Sequence, residues 1–183
     1  FEIEIDNLAP STTYYVRAYA TTEKGTSYGE VKSFKTLDTP TINGYEYVDL
    51  GLPSGLKWAT CNVGASSPED YGNYYAWGET ETKTEYTQYN SLTYGLSISE
   101  LQSQGYIDGS GNLTPSHDAA TANWGGSWRM PTEAELEELI VECTWTWTTQ
   151  NVYKVTGPNG NHIILPAPGS CLGSSPNGWD MSG

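Results

Sequence analysis

The feature of this sequence that most constrains its fold is an amphipathic segment that follows Pro131. Thr132 stands where a helix N-cap is expected, and Glu135 lies three residues later, which is the spacing of a capping box. Apolar residues then recur at the spacing of one helical face: Leu136, Leu139, Ile140 and Cys143. Glutamates are predicted to occupy the opposite, solvated face: Glu133, Glu137, Glu138 and Glu142. The segment therefore predicts one main helix that packs through its apolar stripe against a sheet.

Alternating apolar and polar residues predict three β-strands near the start of the chain. These strands are expected at residues 1–6, 14–20 and 28–34. Residues 38–44 contain Pro40 and Gly44 but show no hydrophobic periodicity, which predicts a linker. The chain is thus expected to divide into residues 1–37, which are rich in strands, and a second domain, residues 45–183.

A pattern of alternate residues in the first domain resembles the last third of a fibronectin type III domain. The matching residues are Leu8, Pro10, Thr12, Tyr14, Val16, Ala18 and Ala20. By this resemblance Tyr14 is the tyrosine corner of that family, whose hydroxyl bonds back to the chain upstream. The resemblance also implies that residues 1–37 are the C-terminal three strands of a seven-stranded, all-β sandwich. We therefore expect the chain to belong to a longer protein with further domains.

The second domain is predicted to combine strands, one main helix and long loops. Residues 45–64 contain two strand signals that are separated by a Gly/Pro turn. Further strands are predicted at residues 144–148, 152–156 and 162–165. Gly157-Pro158-Asn159-Gly160 lies between the last two and is a strong hairpin turn.

The remaining parts of this domain have weaker patterns. Residues 80–114 are predicted to form a long surface excursion, with a short helix at 98–102 and a hairpin at 106–113. Ser67 and Pro68 suit the start of a short helical turn that ends at Gly72. Residues 166–183 are rich in Gly, Ser and Pro, which predicts a loop.

Four segments of the second domain, in order, resemble the Fibrobacter succinogenes major paralogous domain: residues 47–59, 118–120, 124–132 and 144–147. The resemblance covers residues 45–168 and implies an α+β, C-type-lectin-like domain with a mixed, irregular sheet, in which the helix after Pro131 is one of two core helices. Residues 168–172 depart from the Gly-Tyr-Arg pattern of the family. The resemblance further implies closing strands beyond Gly183.

Charge limits the partners of this chain. It has 22 acidic and 8 basic residues, a net charge of −14, and sixteen acids against four bases follow residue 42. Such a chain repels nucleic acid and anionic membrane surfaces, because both bind through basic side chains. No apolar run approaches the ~20 residues that span a bilayer, so no direct membrane insertion is predicted. The family resemblance implies an extracellular or outer-membrane, surface-anchored location.

Cysteine and histidine residues raise the possibility of a thiol nucleophile. The residues concerned are Cys61, Cys143, Cys171, His117 and His162. Cys143 falls on the apolar helical face and Cys61 ends an apolar strand, so the favoured interpretation is two core residues or one Cys61–Cys143 disulfide. Sulfatase-modifying enzymes, distant relatives of the resembled family, use cysteines late in the chain, but Cys171 does not match their pattern.

Other catalytic or metal-binding patterns are weak. Asp108, Ser110, Asn112 and Thr114 alternate like the start of a calcium loop. The sixth position is Leu113 rather than Gly, and the twelfth is Ala119 rather than Glu, so a hairpin turn is favoured. Acids that could serve a glycosidase are Asp70, Glu79, Asp118 and Asp180, but no spacing pairs them. We predict no catalytic residues, no metal site and no cofactor.

Tryptophans offer the best candidates for ligand contact, since their rings stack on sugars. They are Trp77, Trp124, Trp128, Trp145, Trp147 and Trp179, of which most are expected in the core. The predicted ligand-binding residues are Trp77, Glu79, Asn177, Trp179 and Asp180. We expect a non-catalytic, bacterial cell-surface or secreted binding or adhesion module that recognises a carbohydrate or protein ligand. The alternatives are an enzyme of the sulfatase-modifying-factor type, or a structural component of a surface filament.

Overall fold

A computed structural model describes residues 5, 8–167, 170–172 and 175–177. The chain forms two compact units, Phe1–Pro40 and Thr41–Gly183. The architecture is mixed α+β, with small antiparallel sheets, three short helices and a strand-rich N-terminal part. None of the helices in the described part of the chain is long and apolar enough to cross a membrane.

The first unit contains two antiparallel strand pairs. The strands are β1 (Thr13–Val16), β2 (Tyr19–Thr22), β3 (Gly25–Tyr28) and β4 (Lys32–Lys35). Strand β1 pairs with β4, and β2 pairs with β3. The strands predicted at 14–20 and 28–34 are each interrupted, so that prediction is wrong in its bounds. The two interruptions lie opposite each other next to the β2–β3 hairpin, where the Gly29 N–H donates to the Ala18 carbonyl at 2.8 Å. The strand predicted at residues 1–6 lies outside the described residues except for Ile5.

Tyr14 anchors the turn that precedes β1. Its hydroxyl accepts a hydrogen bond from the Ala9 N–H at 2.9 Å, which confirms the predicted contact with the chain upstream. The Thr36 hydroxyl donates to the Ala9 carbonyl at 2.6 Å, and the Tyr14 ring stacks on Phe34 at 6.0 Å. These contacts hold the 8–12 turn against the ends of β1 and β4.

The second unit begins inside the predicted linker. Residues Thr41–Ile42 form β5, which pairs with β6 (Tyr45–Asp49). Asn43 and Gly44 join the two strands with φ angles of 49° and 84°, as a type I′ turn requires. Residues 41–44 therefore form a hairpin, and the linker assignment holds no further than Pro40.

The second unit contains two three-stranded antiparallel sheets. Strand β6 pairs with β5 on one side and with β7 (Lys57–Ala59) on the other. The second sheet has the order β10-β9-β8, from β8 (Thr144–Trp147), β9 (Val152–Thr156) and β10 (His162–Pro166). These strands confirm the predicted ones. The predicted C-terminal loop contains a further antiparallel pair, β11 (Ser170–Leu172) and β12 (Ser175–Asn177).

Three short helices lie between the sheets in the sequence. They are α1 (Ile98–Ser103), α2 (Ala119–Trp124) and α3 (Glu133–Glu142). The predicted capping box of α3 is present, because Thr132 and Glu135 exchange hydrogen bonds at 3.4 and 2.8 Å. Helix α1 confirms the short helix predicted at 98–102. Helix α2 was not predicted; Asp118 caps it through the Thr121 N–H at 2.9 Å.

The helix predicted after Ser67 is absent, and this segment is a turn. The Asp70 carboxylate accepts hydrogen bonds from the Ser66 hydroxyl and the Ser67 N–H, at 3.1 and 3.0 Å. These bonds lower the pKa of Asp70. A carboxylate that satisfies backbone and hydroxyl donors locally stabilises the turn in place of a helix.

Helix α3 buries a different stripe from the predicted one. Leu139 is fully buried and Cys143 is buried, but Leu136 and Ile140 are 43% and 61% exposed. Glu138 leaves the predicted solvated face, because its carboxylate accepts bonds from the Ser54 N–H and hydroxyl at 2.8 and 2.6 Å. The helix is therefore turned about its axis, with charged side chains at the edge of its buried face.

The core of the second unit joins α3 to both sheets. Its buried residues are Leu50, Leu52, Leu139, Cys143, Val155 and Ile163. The Trp145 indole also donates to the Leu139 carbonyl at 3.2 Å, so α3 packs on the tryptophan-bearing strand as predicted. A Cβ on Gly157 would lie 2.1 Å from the Leu50 carbonyl oxygen, which explains why the β9–β10 turn has glycine there. The two sheets thus meet closely at this turn.

Candidate functional site

A cleft of about 590 Å³ opens in the second unit. Strand β7, the 61–79 segment, α2, the start of α3 and β10 contribute its walls. Aliphatic and aromatic side chains form most of the lining, and the aromatic ones are Trp58, Tyr71, Tyr74, Tyr75, Trp77, Trp124 and Trp128. Such concave, mostly apolar surfaces with few polar groups are typical of ligand sites.

The mouth of the cleft is apolar and exposed. Trp77 is 51% exposed, and Tyr71, Met130 and Leu136 are also exposed although they line the cleft. Leu136 therefore belongs to this surface rather than to the core, which explains why it is exposed on α3. Trp77, a predicted ligand contact, lines this cleft.

Trp124 and Trp128 form an aromatic wall of the cleft, and contacts between residues distant in sequence hold it in place. Trp124 stacks on Tyr45 at 4.7 Å and meets Trp128 edge-on at 5.2 Å. The Trp128 indole donates to the Ile42 carbonyl at 2.7 Å. Asp118 receives the Met130 N–H at 2.7 Å in addition to capping α2. The 128–131 segment is thus fixed from both sides, which preorganises this wall.

The charged side chains of the cleft are all engaged with one another or with neighbouring residues. Arg129 contacts both carboxylate oxygens of Glu135, at 2.7 and 2.5 Å. This bidentate pair lowers the pKa of Glu135 to about 2 and raises the pKa of Arg129. Lys57 pairs with Asp49 across the β6–β7 strands.

Glu79 is buried and its carboxylate is bonded within the protein. Only 7% of this residue is exposed, and its carboxylate contacts the Lys83 ammonium at 2.6 Å and receives the Leu92 N–H at 2.9 Å. It ties the 79–92 loop together beside the cleft. The structure thus brings Trp77 and Glu79 to one cleft, but the carboxylate of Glu79 is already bonded.

The other predicted ligand residues are not placed by the structure. Asn177 belongs to β12, where the side chain is outside the description, and Trp179 and Asp180 lie outside the described residues. Sequence reasoning also assigned Trp124 and Trp128 to the core and did not assign Trp58 or the nearby tyrosines to a site. The high density of Tyr and Trp between residues 71 and 77 is the sequence signal that could have identified this part of the cleft lining.

Trp58 differs from the other tryptophans of this region. Among the described residues, its indole nitrogen is the buried side-chain polar atom that lacks a hydrogen-bond partner. The indoles of Trp128 and Trp145 both donate to backbone carbonyls. An unsatisfied buried donor is unfavourable by about 1–3 kcal/mol.

Of the two alternatives left open for Cys61 and Cys143, the disulfide does not form, because both are free thiols, and Cys143 is a core residue. Burial, followed by the charges of Glu142 and Glu138, raises the pKa of Cys143. A raised pKa reduces the thiolate fraction and so the nucleophilicity of this sulfur. Within the described ranges neither histidine is hydrogen-bonded to a thiol; His117 packs on Tyr106, and burial together with Lys154 lowers the pKa of His162. The side chain of Cys171 is outside the description.

The alternating residues after Asp108 form a turn. The Asp108 carboxylate accepts the Ser110 and Asn112 N–H groups at 2.8 and 3.0 Å, and these bonds lower its pKa. Ile107 and Leu113 form a β-bridge, as the hairpin interpretation predicts. In the part of the chain that the structure describes, no group of three potential ligands could hold a metal ion.

Comparisons with protein-family models, with curated proteins and with solved structures gave no match for this chain.

Proposed function

We propose that this chain is a non-catalytic binding or adhesion module of a bacterial surface or secreted protein, and that the aromatic cleft of its second unit holds the ligand. The observation that carries the proposal is the composition of the cleft. Its walls offer exposed aromatic and apolar surface, while the described carboxylates and cations in them are engaged in internal pairs. Such a site supplies packing and shape, and its carboxylates are not free for general acid–base catalysis. The His117 imidazole and the free Cys61 thiol also line the cleft, but among the described residues no hydrogen bond joins them.

We further propose that the second unit is a C-type-lectin-like domain and that residues 1–37 are the end of a fibronectin type III domain. The Tyr14 hydroxyl contact and the β1–β4 pairing support the second assignment. The presence of α2 and α3 beside irregular small sheets supports the first. An extracellular or outer-membrane location, with carbohydrate or protein as the ligand, follows from the same family resemblances.

An experiment on the cleft tests the proposal. Wild-type chain and the Trp77→Ala variant are applied to a glycan array and to a random-peptide display library. Trp77 is 51% exposed, so its truncation should remove ligand contact without unfolding the chain. The matched control is Tyr89→Ala, which removes a 90% exposed aromatic ring that does not line the cleft. Binding that Trp77→Ala loses and Tyr89→Ala retains supports the cleft as the site; no binder in either library contradicts it.

A further inference from the structure

The second sheet, β8–β9–β10, carries polar side chains on the face opposite its core side. Trp145, Val155 and Ile163 share one face and pack in the core cluster, so the residues on either side of each of them lie on the other face. Strand register places these residues in two rows, Thr144–Thr156–His162 and Thr146–Lys154–Ile164. We call this group the outer face; apart from Ile164, all of its side chains are polar.

The polar side chains of the outer face have no partners outside the group. Among the described residues, no hydrogen bond or ion pair involves the three threonine hydroxyls, the Lys154 ammonium or the His162 imidazole. Lys57, Lys83 and Arg129, the other basic residues of the second unit, are all in ion pairs. Lys154 is half-buried, so its charge has lost part of its hydration without gaining a counter-ion.

Acidic residues are missing from the sequence around this face. Residues 143–179 contain neither Asp nor Glu, although the whole chain has 22 acids and a net charge of −14. Threonine and lysine are ordinary residues on the polar face of an antiparallel sheet. The exclusion of acids from a segment of such an acidic chain is not ordinary, and it leaves one face that attracts an anion.

Three residues of the outer face lie close enough to contact one small group. Thr156 is directly opposite His162, where Cβ atoms are about 5 Å apart, and Lys154 lies two residues before Thr156 on the same face. All three side chains can donate hydrogen bonds, and the ammonium adds a positive charge. The matching ligand group is therefore anionic and rich in acceptors. A tetrahedral oxyanion directs three oxygens toward separate donors, whereas a carboxylate has two oxygens in one plane.

We propose that Lys154, Thr156 and His162 bind a tetrahedral oxyanion, the sulfate or phosphate group of a ligand, on the outer face of the second sheet. Thr144, which is opposite Thr156 on β8, provides a further hydroxyl. The ammonium supplies the attraction, and the hydroxyl and imidazole groups fix the orientation of the oxyanion. The acidic remainder of the molecule repels polyanions, so the ligand carries a single such group. This site is separate from the aromatic cleft and does not rest on the function proposed for it.

The experiment follows the ring protons of both histidines by NMR in the 183-residue chain, at about pH 6 and constant ionic strength. Sodium chloride is exchanged stepwise for sodium sulfate, phosphate or acetate. Sulfate or phosphate is expected to shift the His162 signals saturably in the millimolar range, and acetate to bind at least about fivefold more weakly. His117, which packs on Tyr106, is the internal control and should not shift.

Monoesters distinguish a free ion from a group that belongs to a larger molecule. Methyl sulfate and methyl phosphate are titrated in the same way. An ester that binds as tightly as the free ion shows that the site recognises the group on a larger ligand. An ester that binds much more weakly than the free ion assigns the site to the inorganic anion. Either result supports an oxyanion site.

Variants test the assigned donors. Lys154→Gln removes the charge with little change in length and is expected to weaken binding at least about tenfold. The matched control is Lys32→Gln, which removes the same charge from β4 of the first unit and should leave binding unchanged. Thr156→Val removes a hydroxyl that has no internal partner and should weaken binding severalfold. Near-UV circular dichroism checks folding; if Lys154→Gln is unfolded, Thr156→Val decides.

The pH dependence of sulfate binding is a second readout. Burial, followed by the charge of Lys154, lowers the pKa of His162. Strand β8 adds only threonines and tryptophans, and the nearest acid along the chain before β8 is Glu142 at the end of α3. A bound oxyanion favours the protonated imidazole, so sulfate should raise the pKa of His162. Sulfate binding is expected to weaken severalfold between about pH 6 and pH 8 as this imidazole loses its proton.

The results decide the inference without reference to the cleft. A saturable shift of His162 that Lys154→Gln loses and Lys32→Gln retains supports the site. The inference is overturned if neither sulfate nor phosphate, free or esterified, shifts His162 saturably, or if acetate binds as tightly. It is also overturned if the two lysine variants weaken binding equally, because net charge would then explain the effect. Trp77→Ala tests the cleft separately.

Discussion

At the scale of single residues, the buried tryptophans of the second unit differ in whether the indole nitrogen has a hydrogen-bond partner. Trp128 donates to the Ile42 carbonyl across 86 positions of sequence, and Trp145 donates to Leu139. Trp58 is surrounded by the same core and cleft but, among the described residues, is the one whose buried N–H lacks a partner. Removing the Trp128 N–H breaks a hydrogen bond, whereas removing the Trp58 N–H deletes an unsatisfied donor. The two changes affect stability with opposite sign, so the two side chains form a matched comparison.

We expect Trp58→Phe to change the free energy of unfolding by less than Trp128→Phe does. Removing the Trp58 N–H deletes an unsatisfied donor, which offsets the loss of ring area, whereas Trp128→Phe also leaves the Ile42 carbonyl without its partner. The difference between the variants should be about 1–2 kcal/mol. Urea unfolding followed by circular dichroism measures both. A larger loss in Trp58→Phe would show that its indole nitrogen makes a bond in solution.

The Arg129–Glu135 pair gives stability a pH dependence with a definite sign. The pKa of Glu135 falls from an ordinary 4.5 to about 2, so its contribution is present above pH 4.5 and is lost as the pH falls toward 2. Glu135→Gln keeps a capping acceptor but removes the charge. We expect it to lower the free energy of unfolding by about 1–2 kcal/mol at pH 7, less than the full equivalent of the pKa shift because Arg129 is 45% exposed.

The same variant should approach the stability of the wild type as the pH is lowered from 4.5 to 2. Glu137→Gln, at an exposed position of the same helix, is the control and should show no such convergence. Urea titrations at several pH values provide the measurement. A Glu135→Gln deficit that stays constant down to pH 2 would mean that charge is not the source of the stabilisation.

At the scale of elements, helix α3 shows what local sequence determines and what it does not. Its start was predictable because Thr132 and Glu135 satisfy each other's backbone groups within one turn. The orientation of the helix about its own axis was not predictable, because its apolar residues are spread over a wide part of its surface and allow rotation in either direction. Glu138 is positioned by Ser54, which lies 84 residues away, and periodicity contains no information about such a partner.

The rotation of α3 predicts unequal effects for adjacent substitutions. Leu139→Ala should lower the free energy of unfolding by about 3 kcal/mol, because Leu139 is fully buried and its truncation leaves a cavity in the core. Ile140→Ala should lower it by less than about 1 kcal/mol, since that side chain is 61% exposed. Thermal and urea unfolding of the two variants measures the contrast. Equal losses would restore the orientation predicted from the sequence.

At the scale of the whole molecule, the candidate site is a product of long-range packing. Trp77 and Glu79 could be selected from sequence because aromatic and acidic residues stand close together there. The rest of the cleft could not, since its walls come from residues between 56 and 165. Trp124 and Trp128 were assigned to the core because they flank a helix start; only the position of β7 and β10 shows that one side of this cluster faces a cleft.

The excess of acidic residues makes the stability of the molecule depend on salt. With 22 acids and 8 bases, repulsion between like charges opposes the compact state. We expect the Tm to rise by a few degrees when sodium chloride is raised from low to physiological concentration, because salt screens this repulsion. Tryptophan fluorescence reports this for the second unit, which holds all seven tryptophans. A fall in Tm would mean that attractive ion pairs dominate instead.

The Asn43-Gly44 turn gives the molecule a site of chemical ageing. The glycine nitrogen attacks the side-chain carbonyl of a preceding asparagine with little steric hindrance and displaces ammonia, and water then opens the cyclic imide to a carboxylate. Asn43 uses that amide to donate to the Trp124 carbonyl. After deamidation a carboxylate, which only accepts hydrogen bonds, would face a carbonyl oxygen, and one more negative charge would join the existing −14. Deamidation would thus remove the donor that joins the β5–β6 hairpin to the aromatic wall at Trp124.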